Sequence, residues 1–182
     1  MRSGVLRGAA KTSFMSYTIR VLNEGDVESY LRLRGEALES EPQAFGETAE
    51  EHRARRLDTV IERLRASDGE RFVLGAFVDR ELVGMVGFTR ECQLKRRHKG
   101  ELWGMYVTAP QRGKSIGRAL LLELLARVGS IQDLAQVTLS VTQEGPQRLY
   151  ESLGFKTFGC EPDAQRMGKE SVDETYMYLR LD

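Results

Sequence analysis

Between Leu102 and Val128 the chain runs from an apolar and aromatic stretch, Leu-Trp-Gly-Met-Tyr-Val, through Thr-Ala-Pro-Gln-Arg-Gly-Lys-Ser-Ile-Gly into an amphipathic segment; no other part of it restricts the fold as tightly. The first piece reads as a strand from Leu102 to Thr108. The last reads as a helix from Ser115 to Val128, with Ile116, Leu120, Leu124 and Val128 on one stripe and Arg118, Glu123 and Arg127 on the other side. A strand, a small-residue loop and a helix in that order make an anion cradle, because the first turn of a helix leaves backbone N–H groups without internal partners. Arg112 and Lys114 add positive charge at the same place. Gly113-Lys114-Ser115 looks like the end of a Walker A loop, but Thr108 stands where that motif needs its first glycine, and the loop is too short. A dinucleotide fingerprint fails as well, since Gly113 and Gly117 have no third glycine to complete it. By itself the loop also reads as a glycine-containing turn that only caps a helix.

At 182 residues and 41% hydrophobic content, the chain is suited to one substantial core. Lys plus Arg and Asp plus Glu both total 27, so no net field favours nucleic acid or an anionic membrane, and an anion site has to be local. Cys92 and Cys160 form no CxxC pair, and His52 and His98 are the only histidines, so no metal site is expected and a cytoplasmic, reducing setting is. No run approaches the ~18 apolar residues of a membrane span. The opening MRSGVLRGAAKTSF has no apolar centre; residues 1–14 are expected to be a disordered extension, or else a short targeting or docking arm, before a single domain over 15–182.

Alternation from Tyr17 to Val21 predicts a half-buried first strand. Asp26 is placed to cap a helix that carries Val27, Tyr30, Leu31, Leu33 and Leu38 and stops at Pro42. A second helix is expected from Thr48, with Glu51 as its capping-box partner, through Leu57, Val60, Ile61 and Leu64 to Gly69. Arg71 to Val78 and Leu82 to Thr89 form a hairpin signal around Asp79 and Arg80. After the helix that ends at Gly129 come a strand at Gln136 to Val141, a helix at Pro146 to Leu153, and two closing strands at Phe155 to Cys160 and Glu174 to Leu181. That order defines an α/β (α+β) chain, with a mixed, mostly antiparallel twisted sheet of about six to seven strands flanked by helices.

Arg112-Gly113-Lys114-Ser115-Ile116-Gly117 resembles the R/Q-x-x-G-x-G/A pyrophosphate loop of the GNAT N-acetyltransferases, and the strand before it is similar to theirs. Leu149-Tyr150-Glu151-Ser152-Leu153-Gly154-Phe155 resembles the L-Y-x-x-x-G-F helix and turn of the same family. The resemblance implies acetyl-CoA as co-substrate, transfer of its acetyl group to a primary amine without a covalent enzyme intermediate, and the GNAT fold. It also implies cofactor contacts from Met105, Tyr106, Val107, Arg112, Gly113, Lys114, Ser115, Ile116, Gly117 and Arg118, and from Gln143. Two departures stand out. Ser115 takes the place of the middle glycine, which the cradle tolerates if its backbone angles are ordinary. Gln143 and Pro146 replace a frequent Asn and Ala, and the Gln143 amide offers the same donor and acceptor as Asn.

Tyr150 is the candidate acid. In the family the matching tyrosine approaches the cofactor sulfur and can protonate a thiolate of pKa ~8.5. Glu101, at the entry to the Leu102 strand and spaced from Arg112 as in the histone-acetylating branch, is the candidate base; His98 or solvent is the alternative. Lys95 to Lys99 lacks the aromatics and basic surroundings of a nucleic-acid patch. Backbone amides of Met105 to Val107 are the candidate donors to the thioester carbonyl, with Gly104 permitting a bulge. The first two helices, Lys95 to Lys99 and a hydrophilic loop from Pro162 to Asp173 are expected to shape the acceptor pocket. A polyamine, amino acid, aminoglycoside, peptide N-terminus or lysine would fit, and a homodimer is compatible. The rival readings are a non-catalytic acyl-CoA-binding module and an ATP-binding protein.

Overall fold

The computed structural model describes residues 16–65 and 69–181, so the expected N-terminal extension lies outside the described residues. The chain runs β1 (Tyr17–Val21), α1 (Val27–Ser40), α2 (Ala49–Ala54), α3 (Leu57–Arg65), β2 (Arg71–Val78), β3 (Glu81–Arg90), β4 (Lys99–Val107), α4 (Ile116–Val128), β5 (Gln136–Val141), α5 (Glu144–Glu151), β6 (Lys156–Met167) and β7 (Glu170–Arg180). One sheet holds all seven strands in the order β1-β2-β3-β4-β5-β7-β6. Every pairing is antiparallel except β4 with β5.

The apolar runs of β2 and β3 follow from burial on both faces. Leu74, Ala76, Val83, Val86 and Phe88 pack with Ile116, Leu120, Leu121 and Leu124 of α4. Val73, Phe77, Leu82 and Met85 pack with Tyr30, Leu33 and Ala37 of α1 and Val60 and Leu64 of α3. Between the two strands, Asp79 (φ 49°) and Arg80 (φ 70°) both take the left-handed conformation that a tight two-residue hairpin turn needs.

Several local expectations change. Asp26 sits at the start of α1 but does not cap it: its carboxylate accepts two 2.6 Å bonds from Arg20 and one of 2.9 Å from the Asn23 amide. The expected second helix is two. Thr48 and Glu51 do form the capping box, but Arg55 leaves the helical region (ψ 135°) with its guanidinium on Glu47, and α3 sets off separately to bury Val60 and Leu64. β4 begins at Lys99, three residues early, and α5 begins at Glu144, so Pro146 lies within its first turn. The segment Pro162 to Asp173 is no loop: β6 and β7 extend through it as an exposed hairpin that turns at Gly168 (φ 63°). Its polarity conceals a ladder held by backbone hydrogen bonds.

Candidate active site

The opening that defines the site is a fork in the sheet. β4 pairs with β5 only over Lys99–Gln136, Gly100–Val137 and Glu101–Thr138, so from Leu102 onward the β5-side edge of β4 has no strand partner among the described residues. The other edge stays on β3, with a register shift between Met85 and Gly87 where Gly104 bulges at φ 66°. That conformation suits glycine and pushes the β4 backbone outward.

Beside the fork lies a cleft of about 550 Å³ lined by Met105, Tyr106 and Val107 from β4, Arg112, Gly113 and Ser115 to Arg118 from the loop and α4, and Gln143, Leu149 and Tyr150 from α5 and its approach. Ten of the eleven expected cofactor residues, together with Tyr150, are therefore gathered at one opening. Lys114 is not on its lining; its ammonium bonds the Gln111 side chain at 2.9 Å. Among the described residues no acceptor takes the amide hydrogens of Gly113 to Arg118, and the first capped bond of the helix runs from the Ala119 amide to the Ser115 carbonyl at 3.0 Å. A pyrophosphate fits such a row of free donors at a helix N-terminus. Ser115, however, has φ 62° and ψ 8°, so the serine replacing the family's glycine sits in the left-handed region and its angles are not ordinary. α4 accordingly begins at Ile116.

Three lining residues had no sequence signal: Glu41, Ala44 and Phe45, from the segment after α1. Glu41 accepts a 2.8 Å bond from Arg112 and a 3.5 Å bond from the Gln143 amide, while Arg112 also donates to the Val107 carbonyl at 3.0 Å. Arg118 donates to the Ser152 hydroxyl at 2.9 Å. The Tyr106 side chain turns to α1, donating to Glu36 at 2.9 Å with the Ser40 hydroxyl at 3.0 Å.

Tyr150 is held by the way α5 ends. The Phe155 amide reaches back to the Tyr150 carbonyl (3.2 Å), the Gly154 amide to that of Glu151 (3.0 Å), and Gly154 takes φ 93°. This is a Schellman ending, and its characteristic apolar contact is the Phe155 ring edge-on to the Tyr150 ring, 5.8 Å between centroids. The L-Y-x-x-x-G-F spelling is thus the sequence of a helix stop that fixes a phenol. Burial raises the Tyr150 pKa well above that of an ordinary phenol, and its hydroxyl has no hydrogen-bond partner among the described residues.

Glu101 stands at the fork itself, opposite Thr89 on β3 and Thr138 on β5, and borders two further clefts of about 840 and 540 Å³ rather than the one that holds Tyr150. Desolvation, then the nearby Glu91 and Glu174 carboxylates, raise its pKa above the usual 4.5. His98 lies away from the fork in a separate depression with Arg90 and Arg97, and its carbonyl accepts the Ala135 amide.

The fold and site together define an acetyltransferase of the GNAT class. The Acetyltransferase (GNAT) family profile matches residues 33–155, and the chain belongs to that family. Solved structures agree in fold. A ribosomal-protein-alanine N-acetyltransferase from Brucella melitensis is 25% identical, with a TM-score of 0.77 over 90% of this chain and 99% of its own. The Salmonella typhimurium protein yncA, solved with its cofactor acetyl-CoA, is 22% identical, with a TM-score of 0.78 over 92% and 95%. A phosphinothricin acetyltransferase from Sinorhizobium meliloti in complex with AcCoA is 20% identical, with a TM-score of 0.79 over 92% and 89%. No curated protein sequence is a significant match.

Proposed function

We propose that the protein is a cytoplasmic acetyltransferase that moves an acetyl group directly from acetyl-CoA to a primary amine, with the pantetheine arm lying along the free edge of β4. The observation that carries this reading is the end of β4–β5 pairing at Glu101–Thr138, which leaves an unpaired strand edge between a row of free amides and a buried phenol. The free amides of Gly113 to Arg118 suit the pyrophosphate. Arg112 and Gln143, now on Glu41, are within reach of the same ligand. Acetyl-CoA supplies the activated acyl group. Backbone N–H groups beside the Gly104 bulge polarise its carbonyl, the role for which an unpartnered strand edge is suited. Tyr150, its proton held by burial, donates to the departing sulfur. Glu101, with a raised pKa, takes the proton of the incoming amine directly or through water. Exposed, unpaired Cys92 and Cys160 suit a reducing compartment.

Thermal unfolding with CoA, acetyl-CoA and ATP separates this reading from the nucleotide-binding one. CoA and acetyl-CoA should both raise Tm and ATP should do less; stabilisation by ATP with no response to CoA would sink it.

A further inference from the structure

Val137 and Leu139 of β5 and Met177 and Leu179 of β7 turn into the core on α4. Their neighbours along each strand therefore face the other side of the sheet. There, no described residue of β5, β6 or β7 joins the core made by α1 and α3. This half of the face holds the smaller of the two clefts beside Glu101, about 540 Å³ in volume. Register lays its floor out in rows. Lys99, Gln136 and Arg180 stand abreast on β4, β5 and β7; Glu101, Thr138 and Tyr178 come next; Ser140 and Tyr176 follow, where β4 has parted from β5. Phe158 of β6 forms a side wall that is 60% exposed, its ring centroid 5.9 Å from that of Tyr178 and 6.1 Å from that of Tyr176.

Charge is sorted along these rows. In the first, Lys99 and Arg180 have no carboxylate partner among the described residues, whereas Arg96, the other cation on the lining, is paired with Glu91 at 2.7 Å. The Gln136 side-chain amide between them is also without a hydrogen bond among the described residues. Carboxylates gather nearer the fork: Glu101 stands in the second row, and the Tyr176 hydroxyl of the third lies 2.6 Å from Glu161 and 3.2 Å from Glu174. One end of the cleft thus suits a cation and the other an anion. Successive rows are about 7 Å apart, so first and third are separated by about 14 Å at the backbone, less what the long Lys and Arg stems take up. An α-amino acid, with both charges on one carbon, does not bridge that distance.

We propose that this cleft is the acceptor site, and that the acceptor is a primary amine with an anionic group, carboxylate or phosphate, several bonds away: the amine enters the fork beside Glu101 while the anion rests on Lys99, Gln136 and Arg180. This rests on the acetyltransferase reading above. The neutral amine nitrogen bonds the acetyl carbon as the C–S bond breaks, an N–H proton passes to Glu101 and the Tyr150 proton to the sulfur, and both side chains are restored through solvent. Phe158 and Tyr178 flank the linking chain, and aromatic walls of that kind suit an apolar linker.

The test is thiol release by the full-length protein with hexylamine, 1,6-diaminohexane, 6-aminohexanoate and 6-aminohexyl phosphate, and with shorter and longer members of each series. Wild type is compared with Lys99→Gln, Arg180→Gln and the double variant Lys99→Glu/Arg180→Glu. Arg180 is exposed and Lys99 half-buried, so neither change opens the core. At the best chain length, the carboxylate or the phosphate should exceed the neutral amine by about 10-fold in kcat/KM, and the diamine should fall below it. The single variants should shrink that advantage, chiefly through KM, and the double variant should prefer the diamine. Anionic amines no better than neutral ones at every length in the wild type, or an advantage that survives in the double variant, would overturn the proposal while leaving the acetyltransferase reading in place. Absence of thiol release with every amine would overturn both.

Discussion

Ser115 shows how one residue can keep a family's geometry at a local cost. The loop needs a left-handed residue just before α4, glycine meets that need freely, and serine meets it with φ 62° and strain of about 1 kcal/mol. Ser115→Gly should raise stability by roughly that amount in a denaturant titration without weakening CoA binding; an unchanged or lower midpoint would show that the serine side chain offsets the strain. Glu101 carries a prediction of a different kind. With its pKa raised above 4.5 by desolvation and by Glu91 and Glu174, the group is protonated and inactive as a base at low pH, so kcat/KM should rise with pH through its titration. The Glu101→Gln profile should lack that limb, and an identical profile would remove Glu101 from the role.

At the level of elements, legibility followed periodicity and punctuation. β2, its turn at Asp79 and Arg80, and β5 have the bounds expected from alternation and turn residues, and β1 likewise. The Leu149 to Phe155 spelling located Tyr150 because its glycine encodes a helix ending. What stayed hidden was decided by tertiary partners: the break at Arg55 depends on Glu47, the displaced Asp26 cap on Arg20, and the β6–β7 hairpin on cross-strand hydrogen bonds that leave no apolar alternation. The left-handed angle of Ser115 had no local signal either. His52 of α2 belongs to this scale. Burial lowers its pKa below the ordinary 6.5, so the native state prefers the neutral ring, while the unfolded chain takes up a proton first. This contribution to stability is therefore complete above pH 6.5 and lost as pH falls below it. Melting temperature should decline from pH 7 to pH 5, and His52→Gln should flatten the decline; an unchanged slope would assign the acid sensitivity to other groups.

For the whole molecule, one topological event organises everything else. Two cores hold the two faces of the sheet, α4 on one side and α1 with α3 on the other, and the parallel pairing of β4 with β5 gives out after three residue pairs. The strands then diverge between those cores, so the cleft is a fork in a continuous sheet and the groups around it come from elements far apart in the chain. Gly104 lies on the free edge of the fork, and the Gly113 to Arg118 segment and Tyr150 lie around the cleft beside it, while Glu101, at the point where the strands part, borders the two neighbouring clefts. The measurement that bears most directly on this account is thiol release from acetyl-CoA as a function of added primary amine, followed with the wild type and Tyr150→Phe. Release that requires the amine, yields the N-acetylated product and falls by about 10²-fold or more in Tyr150→Phe while CoA binding persists is the predicted result. Release that is independent of every amine, or equal in the two proteins, would contradict it.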